Sequence, residues 1–230
     1  MKKRHITRNI RYVTRVIIGS SSFFFWLMRF TGKFERQLTA KTTDICIEGF
    51  PRSANTYAVA VFQAANTDKT ISHHVHVPMQ VTRAVKLGIP TLVLIRDPAN
   101  AIASLLVADS SLSIYLALWT YISFYKNVMK HRDSYVLADF EEVITCFPDV
   151  LDRINKTTKD KFNMPEVSES FEQSIFESID HHHIKSAAPE HLLPRPSEEK
   201  SKLKQDVLES VRRHRLFPSA LDIYNRMHSL

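Results

Sequence analysis

The stretch that most restricts this chain is residues 44–65. Here Asp44-Ile-Cys-Ile-Glu48 runs into Gly49-Phe50-Pro51-Arg52-Ser53-Ala54-Asn55-Thr56, followed by an Ala- and Val-containing segment that ends at Ala65. The first five residues alternate polar and apolar and are β-branched at two positions, the pattern of a short strand. Thr56 to Ala65 reads as a helix. Glycine occurs only at positions 19, 32, 49 and 88, so the one closing this strand marks a turn the backbone needs. The frame Gly-x-x-x-x-small-x-Thr between strand and helix is that of a loop whose backbone N–H groups, helped by the helix dipole, bind an anion. A phosphate-like group is expected there. The bland reading of the same residues is an ordinary strand-to-helix turn with an exposed Arg52.

Further along, Thr91 to Ile95 is a continuous apolar run of the kind buried in a parallel sheet, and Asp97-Pro98 behind it supplies an N-cap and a first-turn proline. Leu112 to Lys130 carries apolar and aromatic residues at helical spacing, Trp119, Tyr121, Phe124 and Tyr125 among them, and most of these rings are expected in the core. Ser134 to Ala138 reads as a third core strand, and Glu141 and Glu142 behind it suit the start of a helix. Strands alternating with helices predict an α/β fold: a central, mostly parallel sheet flanked by helices in three layers, with right-handed crossovers. From Phe140 onward the pattern is helical, with a Pro-rich break at Pro189 to Pro196. A chain of 230 residues with 44% apolar composition buries one substantial core, so a single domain over 44–230 is expected. Cys46 and Cys146 show neither disulfide nor zinc spacing, which fits a reducing, cytoplasmic compartment.

The net charge of +7 does not spread over the molecule. Residues 1–43 hold ten Lys or Arg against one acid, Glu35, and the remainder of the chain is slightly acidic. The basicity belongs to an N-terminal arm, and a general affinity for nucleic acid is not implied. In that arm Arg4, Arg8, Arg11 and Arg15 share one helical face while Ile6, Ile10, Val13 and Ile17 share the other. The apolar stretch Val16 to Met28 would reach about 20 Å as a helix, short of a roughly 30 Å hydrocarbon core. No transmembrane span is expected, and the Ser20 to Ser22 run fits a secretory signal poorly. Residues 4–30 are either a peripheral contact for an anionic membrane or a helix whose apolar stripe packs on the domain itself.

The Gly49 loop departs from that of nucleotide triphosphatases. Ala54 stands where a second Gly would be, and Asn55 replaces the Lys that reaches the β- and γ-phosphates. The positive charge sits three residues earlier, in Arg52. In this form the loop resembles that of the P-loop sulfotransferases, which reads approximately Pro-Lys/Arg-Ser-Gly-Thr/Asn-Thr; Pro51, Arg52, Ser53, Asn55 and Thr56 match it directly. Ala54 is the departure, and a positive φ there would cost about 1 kcal/mol. The resemblance spans roughly residues 44–140 at the level of motifs and extends more loosely to the helices beyond, leaving out the arm.

The resemblance implies a set of roles. The co-substrate would be 3′-phosphoadenosine 5′-phosphosulfate (PAPS), and the acceptor a hydroxyl or amine on a small molecule or glycan. Pro51, Arg52, Ser53, Ala54, Asn55, Thr56 and Tyr57 would hold the 5′-phosphosulfate end. Arg96 at a strand end and Ser104, eight residues on, would hold the 3′-phosphate, the planar guanidinium fork suiting a phosphate. Between these anchors lies Ser72-His73-His74-Val75-His76-Val77-Pro78. Read as extended chain, it places His74 and His76 on one face and His73 on the other. His76-Val77-Pro78 is similar to a family sequence whose His is the general base, so His76 is the first choice and His74 the second, with Arg52 as the third catalytic group. No metal is implied. A His-x-His metal pair and a structural cluster remain alternatives for the histidines, and a P-loop nucleotide kinase or a catalytically decayed nucleotide-binding module for the whole chain. His181 to His183 are assigned no chemistry, and Arg195 reads as a loop residue within reach of a nucleotide in some family members.

Overall fold

Two strands without an exposed residue set the architecture. Ile45–Gly49 (β1) and Thr91–Ile95 (β3) are buried at all five positions, so both lie inside a sheet covered on each side. The structure is a computed structural model and describes residues 19, 21–30, 37–159, 161–166, 168, 171, 173–177, 179 and 198–229. Ile71–His73 (β2) pairs with β1, and Val136–Asp139 (β4) pairs with β3, giving the order β2-β1-β3-β4 with every pair parallel.

Alternate side chains of the central strands enter different cores. Val93 and Ile95 pack with Ile102 of Pro98–Ala108 (α4), Leu118 of Ile114–Val128 (α5), Val211 of Glu198–Arg212 (α8) and Ile223 of Phe217–Ser229 (α9). Leu92 and Leu94 pack on the opposite face with Phe62 of Asn55–Ala65 (α2), Val143 of Phe140–Thr145 (α6) and Val150 of Phe147–Thr157 (α7). This is the three-layer α/β arrangement expected from the alternating strand and helix pattern.

Local chemistry explains the starts of three helices. The Asp97 side chain accepts from Asn100 N–H at 2.9 Å and Pro98 follows at the first helical position. Ser113 caps α5 by accepting from Leu116 N–H. Asp139 and Glu142 close a capping box on α6, so Glu142 does more than complement the dipole.

Several boundaries differ from the expectation. Helix α5 stops at Val128, a 3₁₀ turn occupies Met129–Ser134, and β4 therefore starts at Val136 rather than Ser134. Helix Pro78–Lys86 (α3) has no counterpart in the sequence reading, although Pro78 stands in its first turn and Val81 and Ala84 share its buried face. The 72–78 stretch is not extended throughout: it is strand only to His73, and His74 and His76 have φ of 56° and 54°. The alternating strand pattern also misplaced Glu48, which is fully buried.

Of the arm, Ser22–Phe30 (α1) is described; Phe25 and Met28 pack against Leu38, Val75 and Val77, while Phe23 and Trp26 stay exposed. Residues 37–39 are tied in by Gln80, whose side chain donates to Gln37 O and accepts from Thr39 N–H. No helix among the described residues is long and apolar enough to cross a membrane. The Arg4 to Ile17 helix, His181 to His183, the Pro189 to Pro196 break and Arg195 lie outside the described residues.

Candidate functional site

β1 and β3 end side by side, with Gly49 opposite Leu94. From β1 the chain moves outward to β2, and from β3 it moves the other way to β4, so the strand order reverses between them. In open parallel sheets ligands bind outside the carboxyl ends of the strands at such a switch point. Only glycine fits at 49, because a Cβ there would stand 2.4 Å from the Leu94 carbonyl oxygen. That close approach brings the loop after β1 against the residues after β3.

The loop itself holds an uncommon backbone without glycine. Arg52 and Ala54 have φ of 71° and 66°, and Ala54, the N-cap of α2, makes no side-chain cap. Ala54 thus offers the first turn of α2 no side-chain cap, and a helix start of this kind suits an anion. Asn55, standing where a nucleotide triphosphatase has Lys, turns inward and donates to Phe50 O at 3.0 Å. Its Oδ1 is buried with no hydrogen-bond partner among the described residues, and the buried Ser53 hydroxyl lies beside the Tyr125 phenol. Pro51 is half-buried, and the half-buried Tyr57 ring lies 5.9 Å from Phe176.

Two guanidinium groups converge on this loop. Arg52 Nε donates to Ser104 Oγ at 3.0 Å, and Arg96 Nη1 donates to Arg52 O at 3.0 Å. Arg96 also lies 3.6 Å over the Phe140 ring. Burial lowers the pKa of both, and for Arg96 the charge of Arg52 adds to the effect. Guanidinium groups remain protonated even so. Among the described residues neither forms an ion pair, although the charges of Glu141, Asp97 and Asp139 partly offset that of Arg52 at Arg96. A multiply charged anion is the ligand that would relieve the two guanidinium groups.

Two tyrosines on one face of α5 bolt the strand ends in place. Tyr125 donates to Leu94 O at 2.7 Å and accepts from Phe50 N–H at 3.2 Å, while Tyr121 donates to Arg96 O at 2.7 Å. Burial raises the pKa of both phenols, which stay neutral donors. These residues lie in the core as expected, but the sequence reading missed that they position the site; their i, i+4 spacing was the available signal.

The histidines gather against the same loop. The extended reading separated His73 from the other two, yet the left-handed turns at His74 and His76 fold the chain back. His73 and His74 rings lie 4.8 Å apart, and those of His74 and His76 5.7 Å apart. His74 Nε2 is 3.2 Å from Thr56 Oγ1, and His76 Nδ1 is 2.8 Å from Gly49 O. Among the described residues no group of three or more His, Cys, Asp or Glu is arranged to hold a metal ion. Glu48, which the reading passed over, accepts from Val75 N–H at 2.9 Å and His76 N–H at 2.7 Å.

No protein-family model matches this chain, and no curated protein matches it. Among solved structures, mouse sulfotransferase SULT7A1 complexed with PAP is similar to it with a TM-score of 0.43 and 14% identity. The match covers 87% of this chain and 93% of that one.

Proposed function

We propose that the protein transfers a sulfuryl group from PAPS to a hydroxyl or amine acceptor. The observation that carries this reading is the meeting of Arg52, Ser104 and Arg96 at the carboxyl ends of β1 and β3, two cations without a bonded acid. The donor supplies an activated sulfuryl group on a 5′-phosphate leaving group. Arg52, the loop N–H groups and the start of α2 bind that phosphate and stabilise the charge that grows on it. Thr56 adds a hydroxyl, and the unpartnered Asn55 Oδ1 belongs to the same loop. Arg96 and Ser104 take the 3′-phosphate, and Tyr57 offers an aromatic face beside the loop. His76, or His74 through its place on Thr56, takes the acceptor's proton.

Calorimetry with 3′-phosphoadenosine 5′-phosphate (PAP) against ATP tests this. PAP is expected to bind without magnesium, and ATP with magnesium to bind far more weakly, since Asn55 has no charge for the β- and γ-phosphates. Preferential binding of magnesium-ATP would overturn the reading in favour of a kinase. Tight PAP binding with no transfer to any member of an acceptor library would leave a nucleotide-binding module instead.

A further inference from the structure

We propose that Glu48 is the positioning residue of this site: from inside β1 its carboxylate holds the 74–76 loop and orients His76 so that Nε2 takes the acceptor's proton. This inference rests on the sulfuryl-transfer reading and adds to it a group supplied by the sheet itself.

A carboxylate at a strand position with no solvent exposure is unfavourable unless its oxygens are bonded. Packing alone would be served by Val or Leu. What the carboxylate does here is divide its two oxygens between consecutive backbone N–H groups, Oε1 to Val75 and Oε2 to His76. Those residues sit in a loop where His74 and His76 are both left-handed, a conformation that costs any residue with a Cβ. A rigid two-oxygen acceptor anchored in β1 stabilises that path against relaxation to an extended one.

The path decides the chemistry of the ring. His76 Nδ1 lies 2.8 Å from the Gly49 carbonyl oxygen. A carbonyl can only accept, so Nδ1 carries the hydrogen, and the neutral ring presents its lone pair at Nε2. In the transfer the acceptor's proton moves to Nε2 as its heteroatom bonds to sulfur and the bond from sulfur to the phosphate oxygen breaks. The electron pair of that bond leaves with the phosphate, and the ring becomes an imidazolium. Glu48 Oε2, 3.9 Å from Nδ1, then faces a positive charge. Among the described residues the His74 ring also stands against it, and His74 in turn contacts His73.

The test combines one variant with one measurement on the unaltered protein. Glu48→Gln keeps the shape and removes the charge. It is expected to lower kcat/KM by about tenfold or more, within what a general base contributes in whole. PAP affinity by calorimetry should stay within about twofold. The acid limb of the kcat/KM profile should move to lower pH by about one unit, because a nearby carboxylate favours the protonated ring and its loss disfavours it. An unchanged acid limb would overturn the proposal. Should E48Q fail to fold, nitrogen-15 histidine NMR of the unaltered protein decides: a neutral His76 protonated at Nδ1 supports the assignment, and one protonated at Nε2 sinks it. Failure of the parent reading looks different, since the unaltered protein would then transfer no sulfuryl group at all.

Discussion

Ala54 carries the clearest cost at a single position. Its φ of 66° is a conformation in which glycine is unstrained, yet the residue also packs a methyl against the core beside α2. Ala54→Gly is expected to stabilise the protein by about 1 kcal/mol, loss of the methyl contact offsetting only part of the relief. For a chain of this length that is a rise of roughly 2–4 °C in the melting temperature by calorimetry. A fall would mean that packing at 54 outweighs backbone strain. The possibility of this strain was visible in the sequence, because the family pattern has glycine there. The strain at Arg52, His74 and His76 was not visible, because nothing in their side chains announces a positive φ.

Helix α5 shows how an element read as packing also builds the site. Its tyrosines at 121 and 125 face the carboxyl ends of β1 and β3 and bond to Arg96 O, Leu94 O and Phe50 N–H. Tyr125→Phe preserves the ring and removes one donor and one acceptor from a fully buried place. The expected loss is about 1–3 kcal/mol, read as a lower denaturant midpoint with an unchanged slope. Faster hydrogen exchange at the Phe50 amide should accompany it, whereas exchange elsewhere in α5 should not change more than the global stability does. β3 was legible as the apolar run of a buried parallel strand, and β1 from its β-branched residues and the glycine that closes it. β2 and α3 were not, being short, partly polar and held by neighbours such as Gln80, which reaches Gln37 and Thr39.

At the scale of the whole molecule, buried phenols link stability to alkaline pH. Burial raises the pKa of Tyr121 and Tyr125 above the ordinary value of 10.0. The unfolded chain therefore gives up these protons at lower pH than the folded one. Their contribution is fully present below about pH 10 and is lost as pH rises through the folded values. Denaturant midpoints measured from pH 8 to 12 should stay level at first and fall beyond about pH 10, with phenolate absorbance of the buried rings developing only on unfolding. Full ionisation of every tyrosine while the protein remains folded would contradict the burial of Tyr121 and Tyr125.

The amino-acid sequence by itself determined the alternating strand and helix order and the frame of the Gly49 loop. It also placed the arginine at the end of β3, because hydrophobic period, glycine placement and cap chemistry act over a few residues. Tertiary structure decided the rest. The Arg52 to Ser104 bond, the burial of Glu48 and the folding back of His74 and His76 each join residues 18 or more positions apart. Local pattern holds no record of such distances; only the pairing of β1 with β3 and the pull of a buried carboxylate on two backbone N–H groups create them.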